Sequence, residues 1–119
     1  MNTKGEKTYN LEDRTIKFAK DIVVFVQGFK RDPLLMPILT QLVRAGTSIG
    51  ANYCEANGAS SKKDFTNKIF ICKKEAKETK YWLKILESTV MDENEKCDVF
   101  WKEAQELTLI FSKIAASSK

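Results

Sequence analysis

Residues 41–86 read QLVRAGTSIGANYCEANGASSKKDFTNKIFICKKEAKETKYWLKIL. This stretch decides the fold class, because it joins two helical periods across the polar turn Asn57-Gly58-Ala59-Ser60. After the turn, Phe65, Ile69, Cys72, Ala76, Thr79, Leu83 and Leu86 step by 4, 3, 4, 3, 4 and 3. Such an unbroken heptad seam belongs to a helix packed along its whole length. Ser61, with Asp64 three residues on, supplies a cap-like start. The pattern predicts a helix of about 28 residues, roughly 42 Å long, which needs partners of similar length.

Upstream of the turn, a second helix is expected to begin between Pro33 and Pro37, since proline suits a first turn. Its core positions are Ile38, Leu42, Ala45, Ile49, Tyr53 and Ala56. Gly46 and Gly50 lie on it four residues apart, and each costs a helix about 1 kcal/mol against alanine. Two such residues imply that another backbone packs close against that face.

Working outward, Asn10 can cap a first helix, with Asp13 at its third position. Ile16, Ala19, Ile22/Val23, Val26 and Phe29 recur at helical spacing, and Phe18 and Phe25 widen the stripe. The pattern ends at Phe29-Lys30-Arg31, before the break that Asp32-Pro33 imposes. On the other side, Asp92 and Glu95 repeat the capping pattern before a fourth helix. Its apolar face is Cys97, Phe100/Trp101, Ala104, Leu107/Thr108, Phe111 and Ile114. With no strand alternation anywhere, the expected fold is all-α, an antiparallel up-and-down four-helix bundle. One domain is expected over residues 11–116, with a flexible segment at 1–10 and a frayed end at 117–119.

The 119-residue chain contains no histidine. That removes the commonest general base and metal ligand, and no other catalytic constellation takes their place. We therefore expect no enzyme, no cofactor and no metal. Cys54, Cys72 and Cys97 are odd in number and widely spaced, which fits reduced, mostly buried thiols in a cytoplasmic protein. No apolar run is long enough to cross a bilayer, and residues 1–10 lack an apolar signal core, so no membrane partner is expected.

The net charge of +4 is unevenly spread. Residues 62–84 carry eight lysines against three acids, whereas residues 85–119 carry four lysines against seven. Lys73, Lys77, Lys80 and Lys84 recur along the third helix, and Lys62 and Lys63 stand at its start. A lysine stripe of this kind can track a phosphate backbone, so these six residues are the candidate nucleic-acid contacts for RNA or DNA. Few aromatics interleave with them, which gives no expectation of a single-strand stacking platform. The competing reading is a solvated face on a protein-interaction scaffold.

A second set is polar but close to the core. Arg44, Ser48, Asn52 and Glu55 share one face of the second helix, and Glu75, Glu78 and Trp82 share one of the third. Facing each other, they would form a structural network centred on an Arg44 pair with Glu75 or Glu78. Ile71, Tyr81, Trp82 and Ile85 lie off the seam, giving a second apolar face that a loop or a neighbouring subunit would cover.

Gln41-Leu42, Arg44 with the following AGTSIGANYCEA, Lys63-Asp64-Phe65, and Lys74-Glu75-Ala76-Lys77-Glu78-Thr79 leading to Tyr81-Trp82-Leu83 resemble the 23S rRNA-intervening-sequence proteins. The resemblance runs from Phe18 to about Leu86 and covers the last helix only by pattern. A step that is usually Arg-Ser in the motif is Arg44-Ala45 here. The resemblance implies a bundle that assembles as a ring-like homo-oligomer, a homopentamer with basic surfaces, and it implies no settled activity. A wider similarity, to the accessory variability determinant of diversity-generating retroelements, implies a reverse transcriptase as a further partner.

Overall fold

The structure, a computed structural model, describes residues 10–89 and 94–118. The expectations that fell on Asp92 and on residues 1–9 lie outside these. Four helices account for the fold: α1 (Leu11–Gln27), α2 (Met36–Asn57), α3 (Lys62–Thr89) and α4 (Asn94–Ser117). No strand occurs among the described residues. Each helix neighbours the next in sequence, and contacts run in opposite directions along each pair. On α1 and α2, Ile22 faces Gly46 while Thr15 faces Gly50. On α2 and α3, Arg44 meets Glu75 while Glu55 meets Lys68. On α3 and α4, Lys80 meets Gln105 while Thr66 meets Ser118. This is an antiparallel up-and-down bundle.

Local signals set the helix starts. Asn10 Oδ1 accepts from the Asp13 amide at 2.8 Å, and Ser61 Oγ accepts from the Asp64 amide at 3.0 Å. Each satisfies one of the amides that a helix leaves unpaired at its first turn. Before α2, the Asp32 carboxylate accepts from the Leu34 amide at 2.9 Å, and its carbonyl accepts from Leu35 and Met36. Proline at the first turn of α2 then loses no hydrogen bond.

The seam of α3 is the centre of the core. Ile69, Cys72, Ala76, Thr79, Leu83 and Leu86 are buried, and Phe65 packs against them from one end. Leu39, Leu42, Ala45, Ile49 and Ala56 of α2 and Cys97, Ala104, Leu107, Phe111 and Ala115 of α4 close around it. Tyr53 and Phe111 meet across the bundle with ring centroids 5.6 Å apart. The buried hydroxyls of Thr79 and Thr108 donate to carbonyls one turn back in their own helices, so neither is left unpaired.

Some expected positions shift. In α1 the buried row is Thr15, Phe18, Ile22 and Phe25, and Ile16 is 44% exposed. Phe18 and Phe25, which had only widened the stripe, thus turn inward with Ile22, and Thr15 joins them. The reason lies on α2. A Cβ on Gly50 would sit 2.8 Å from Thr15 Oγ1, and one on Gly46 would sit 3.3 Å from Ile22 Cγ2. The two glycines let α1 approach closely and thereby fix which of its sides faces inward. α1 also stops at Gln27, with Gly28 capping it, two residues before the expected end. Cys54 is exposed rather than buried. Its position on α2 is two residues before Ala56, on the side turned away from the core.

Candidate functional site

The seam of α3 read two positions earlier gives Lys63, Asn67, Phe70, Lys74, Lys77, Tyr81 and Lys84. Two residues are about 200° of helix, so this row stands opposite the core. All seven residues are exposed, and so are Lys62, Ser88 and Thr89. No exposed residue of α3 is acidic. Its carboxylates are turned to the flanks, where Glu75 and Glu78 meet Arg44 and Glu87 meets Lys84 at 3.3 Å. Lys63, Lys74 and Lys77 carry no ion pair among the described residues. The outcome is an outer row whose charged members are all lysines, with the partly exposed Asp64, Glu78 and Glu87 beside it.

The six candidate lysines do not form one group. Lys77 and Lys84 are in the outer row, while Lys73 and Lys80 are partly buried beside α4. Lys80 donates to Gln105 Oε1, and its ammonium lies 5.3 Å from the Trp101 ring centroid. Lys84 lies 5.5 Å from the same ring. Burial pushes the Lys80 ammonium below the usual lysine range, and the like charge of Lys77 adds to the shift. Lys62 and Lys63 are at the other end of α3, about 30 Å from Lys84 by helical rise. There they line a shallow concavity with Thr66, Asn67 and Ser118. Lys74, which the sequence shows only as added charge beside the expected stripe, completes the row. The seam's own register, shifted by two, marks it.

The aromatics also differ from the sequence reading. Phe70 and Tyr81 stand within the row itself, 42% and 57% exposed, and Trp101 adjoins it from α4.

The polar set of α2 divides as well. Arg44 Nη1 donates to Glu75 Oε1 at 3.2 Å, Arg44 Nη2 donates to Glu78 Oε2, and Arg44 Nε donates to Gln41. The Trp82 indole donates to the same Glu78 oxygen at 3.2 Å. Burial acts to raise the Glu78 carboxyl, but the hydrogen bonds from Trp82 and Arg44 outweigh it and hold it below its ordinary value. Ser48 and Asn52 do not join this cluster. Each donates to a carbonyl one turn back in α2. Glu55 pairs instead with Lys68, at 3.0 Å. The arrangement sets one guanidinium against two carboxylates and ties α2 to α3.

Ile71, Trp82 and Ile85 are partly buried on the α2 side of the outer row, next to this cluster. A separate concavity of about 570 Å³ opens between the end of α1 and the start of α4, lined by Val24, Phe25, Phe29, Val99 and Phe100 among others. No group of three or more metal-ligating side chains occurs among the described residues, and none of their helices is long and apolar enough to cross a membrane.

The family model described as 23S rRNA-intervening sequence protein matches residues 7–113. The chain belongs to this family. A solved structure from Bacteroides thetaiotaomicron VPI-5482, a protein with unknown function from the S23 ribosomal protein family, is similar to it at 34% identity. That likeness covers 89% of this chain and 98% of the other, with a TM-score of 0.80. No curated protein matches the chain. The match of the 23S rRNA-intervening sequence protein family extends into α4, where the sequence resemblance had rested on pattern alone.

Proposed function

We propose that this chain is a non-enzymatic helical bundle of the cytoplasm that assembles as a homopentamer and binds nucleic acid, RNA or DNA, through its lysine-rich face. The observation that carries this reading is the outer row of α3, whose charged members are all lysines: Lys63, Lys74, Lys77 and Lys84. A face kept basic only for solubility gains nothing from excluding acids, and mixed charge serves solubility as well. Phosphates, by contrast, are repelled by any carboxylate among the lysines. In a ring the face is repeated on every subunit, so weak single contacts add through avidity.

The test is a salt titration of the assembled protein against labelled RNA and DNA. Log affinity should fall linearly with log salt, each neutralised phosphate contributing a slope of about −0.7 to −0.9. Lys77→Gln with Lys84→Gln should flatten the slope by roughly one and a half and weaken all sequences alike. Absence of binding to either nucleic acid at physiological salt would end the proposal. The second reading is then a protein-interaction scaffold, including an accessory of a reverse transcriptase. Its support is the set of exposed apolar side chains away from α3, with Val24 66% and Leu34 85% exposed.

A further inference from the structure

We infer that the nucleic acid taken by this face is single-stranded, with unpaired bases laid on Tyr81 and Phe70 while the flanking lysines hold the phosphates. The inference rests on the function proposed above and narrows its ligand. Along the outer row the order is Lys63, Asn67, Phe70, Lys74, Lys77, Tyr81, Lys84. Two exposed rings therefore alternate with basic side chains, and about 16 Å of helix rise separates them.

A duplex backbone has no use for such rings, because its bases are stacked on one another and their faces are covered. An unpaired base offers a free face, and stacking on an aromatic side chain is tolerant of sequence. Tyr81 is also held in place. Its ring meets Trp82 edge to face at a centroid distance of 4.9 Å, and Trp82 is itself tied to Glu78 at 3.2 Å. A ring fixed before the ligand arrives loses little freedom on binding. On the far side, the Lys80 and Lys84 ammonium groups lie 5.3 Å and 5.5 Å from the Trp101 ring centroid, and Lys84 also pairs with Glu87 at 3.3 Å. Lys80 is bonded to the neutral amide of Gln105, so a phosphate would have no carboxylate to displace there.

The experiment compares three proteins by fluorescence anisotropy at one fixed, moderate salt: the wild type, Phe70→Ala with Tyr81→Ala, and Lys77→Gln with Lys84→Gln. The probes are a labelled 20-nucleotide oligouridine, the same length of oligothymidine, and a 20-base-pair duplex. Circular dichroism and light scattering confirm fold and assembly for each variant, and Tyr81→Phe serves as the ring-preserving control. The expected result is tighter binding of single strands than of duplex by the wild type. Loss of both rings should weaken single-strand binding about tenfold or more and leave duplex binding within twofold. The lysine variant should weaken both, and Tyr81→Phe should bind like the wild type. Equal affinity for single strand and duplex, or ring removal that changes both or neither, overturns the inference while the lysine reading stands. If the wild type binds no probe, both fall. A change of mass on ring removal in that case assigns Phe70 and Tyr81 to a protein contact.

Discussion

Arg44 on α2 reaches Glu75 on α3 at 3.2 Å, so a buried carboxylate, 7% exposed, is answered by a guanidinium that remains open to water on one side. The same guanidinium bonds Glu78, so Arg44 is shared by two carboxylates. Removing it leaves the enclosed Glu75 side chain without its guanidinium partner. Because Arg44 is partly solvated, the cost is smaller than for a fully buried pair, and Arg44→Ala should lose about 1–3 kcal/mol in denaturant unfolding. Adding Glu75→Gln to that variant should recover part of the loss.

Acid should expose the same contact. The folded-state pKa of Glu78 is lowered, so its contribution is present above the unfolded carboxylate value of about 4.3. It is lost as pH falls through the lower folded value. Wild-type stability should therefore drop on that acid limb, and thermal melts across it should show a shallower drop for Arg44→Ala.

Gly50→Ala should destabilise, even though alanine is the better helix former. The helix gains about 1 kcal/mol, but the new methyl would sit 2.8 Å from Thr15 Oγ1 and 3.0 Å from Thr15 Cβ. Thr15 is itself buried, so α1 must shift, and overpacking of this kind costs about 1–3 kcal/mol. A net loss near 1 kcal/mol is expected in thermal unfolding. Gly46→Ala should be milder, since the nearest atom it would meet is the Ile22 side-chain Cγ2, at 3.3 Å. Thr15→Ala combined with Gly50→Ala should regain part of the loss.

The three thiols should separate in a reactivity assay. Cys54 is exposed, while Cys72 and Cys97 are buried. Burial pushes the Cys72 thiol up to about 12, so it offers almost no thiolate at neutral pH. A disulfide reagent should titrate one thiol per native chain quickly and all three after denaturation. Fast reaction of a second thiol in the native protein would show that the α3–α4 seam opens.

Assembly has its own test. Light scattering should give about five times the 13.6 kDa chain mass at micromolar concentration and moderate salt. If the flank of Ile71, Trp82 and Ile85 is the subunit contact, Ile85→Lys should lower that mass without loss of helix content. A monomeric wild type would remove the proposed ring.

How far the sequence could be read varies helix by helix. The α3 seam was legible because its apolar residues are confined to one side, which fixes the phase without ambiguity. In α1 they are not confined. Ile16 and Val24 are exposed and Thr15 is buried, so hydrophobicity alone could not decide which side faces inward. What decides it is the contact with Gly46 and Gly50, a property of the pair of helices rather than of either one. The Arg44 pairing with α3 was legible from spacing. The company of Ser48, Asn52 and Glu55 was not, because short polar side chains on a helix can bond to their own backbone instead. The basic face was half legible, since Lys77 and Lys84 stand in the outer row while Lys73 and Lys80 fall one position short of it.

The offset of two residues between the buried row of α3 and its outer row has a consequence for how such a protein can change. Positions 69, 72, 76, 79, 83 and 86 are buried in the core, and positions 63, 67, 70, 74, 77, 81 and 84 are outside it. Substitution in the outer row is therefore nearly free of structural penalty, as is usual for surface positions. One scaffold can then be re-lettered for a different ligand within a few mutational steps, while its bundle stays recognisable by shape.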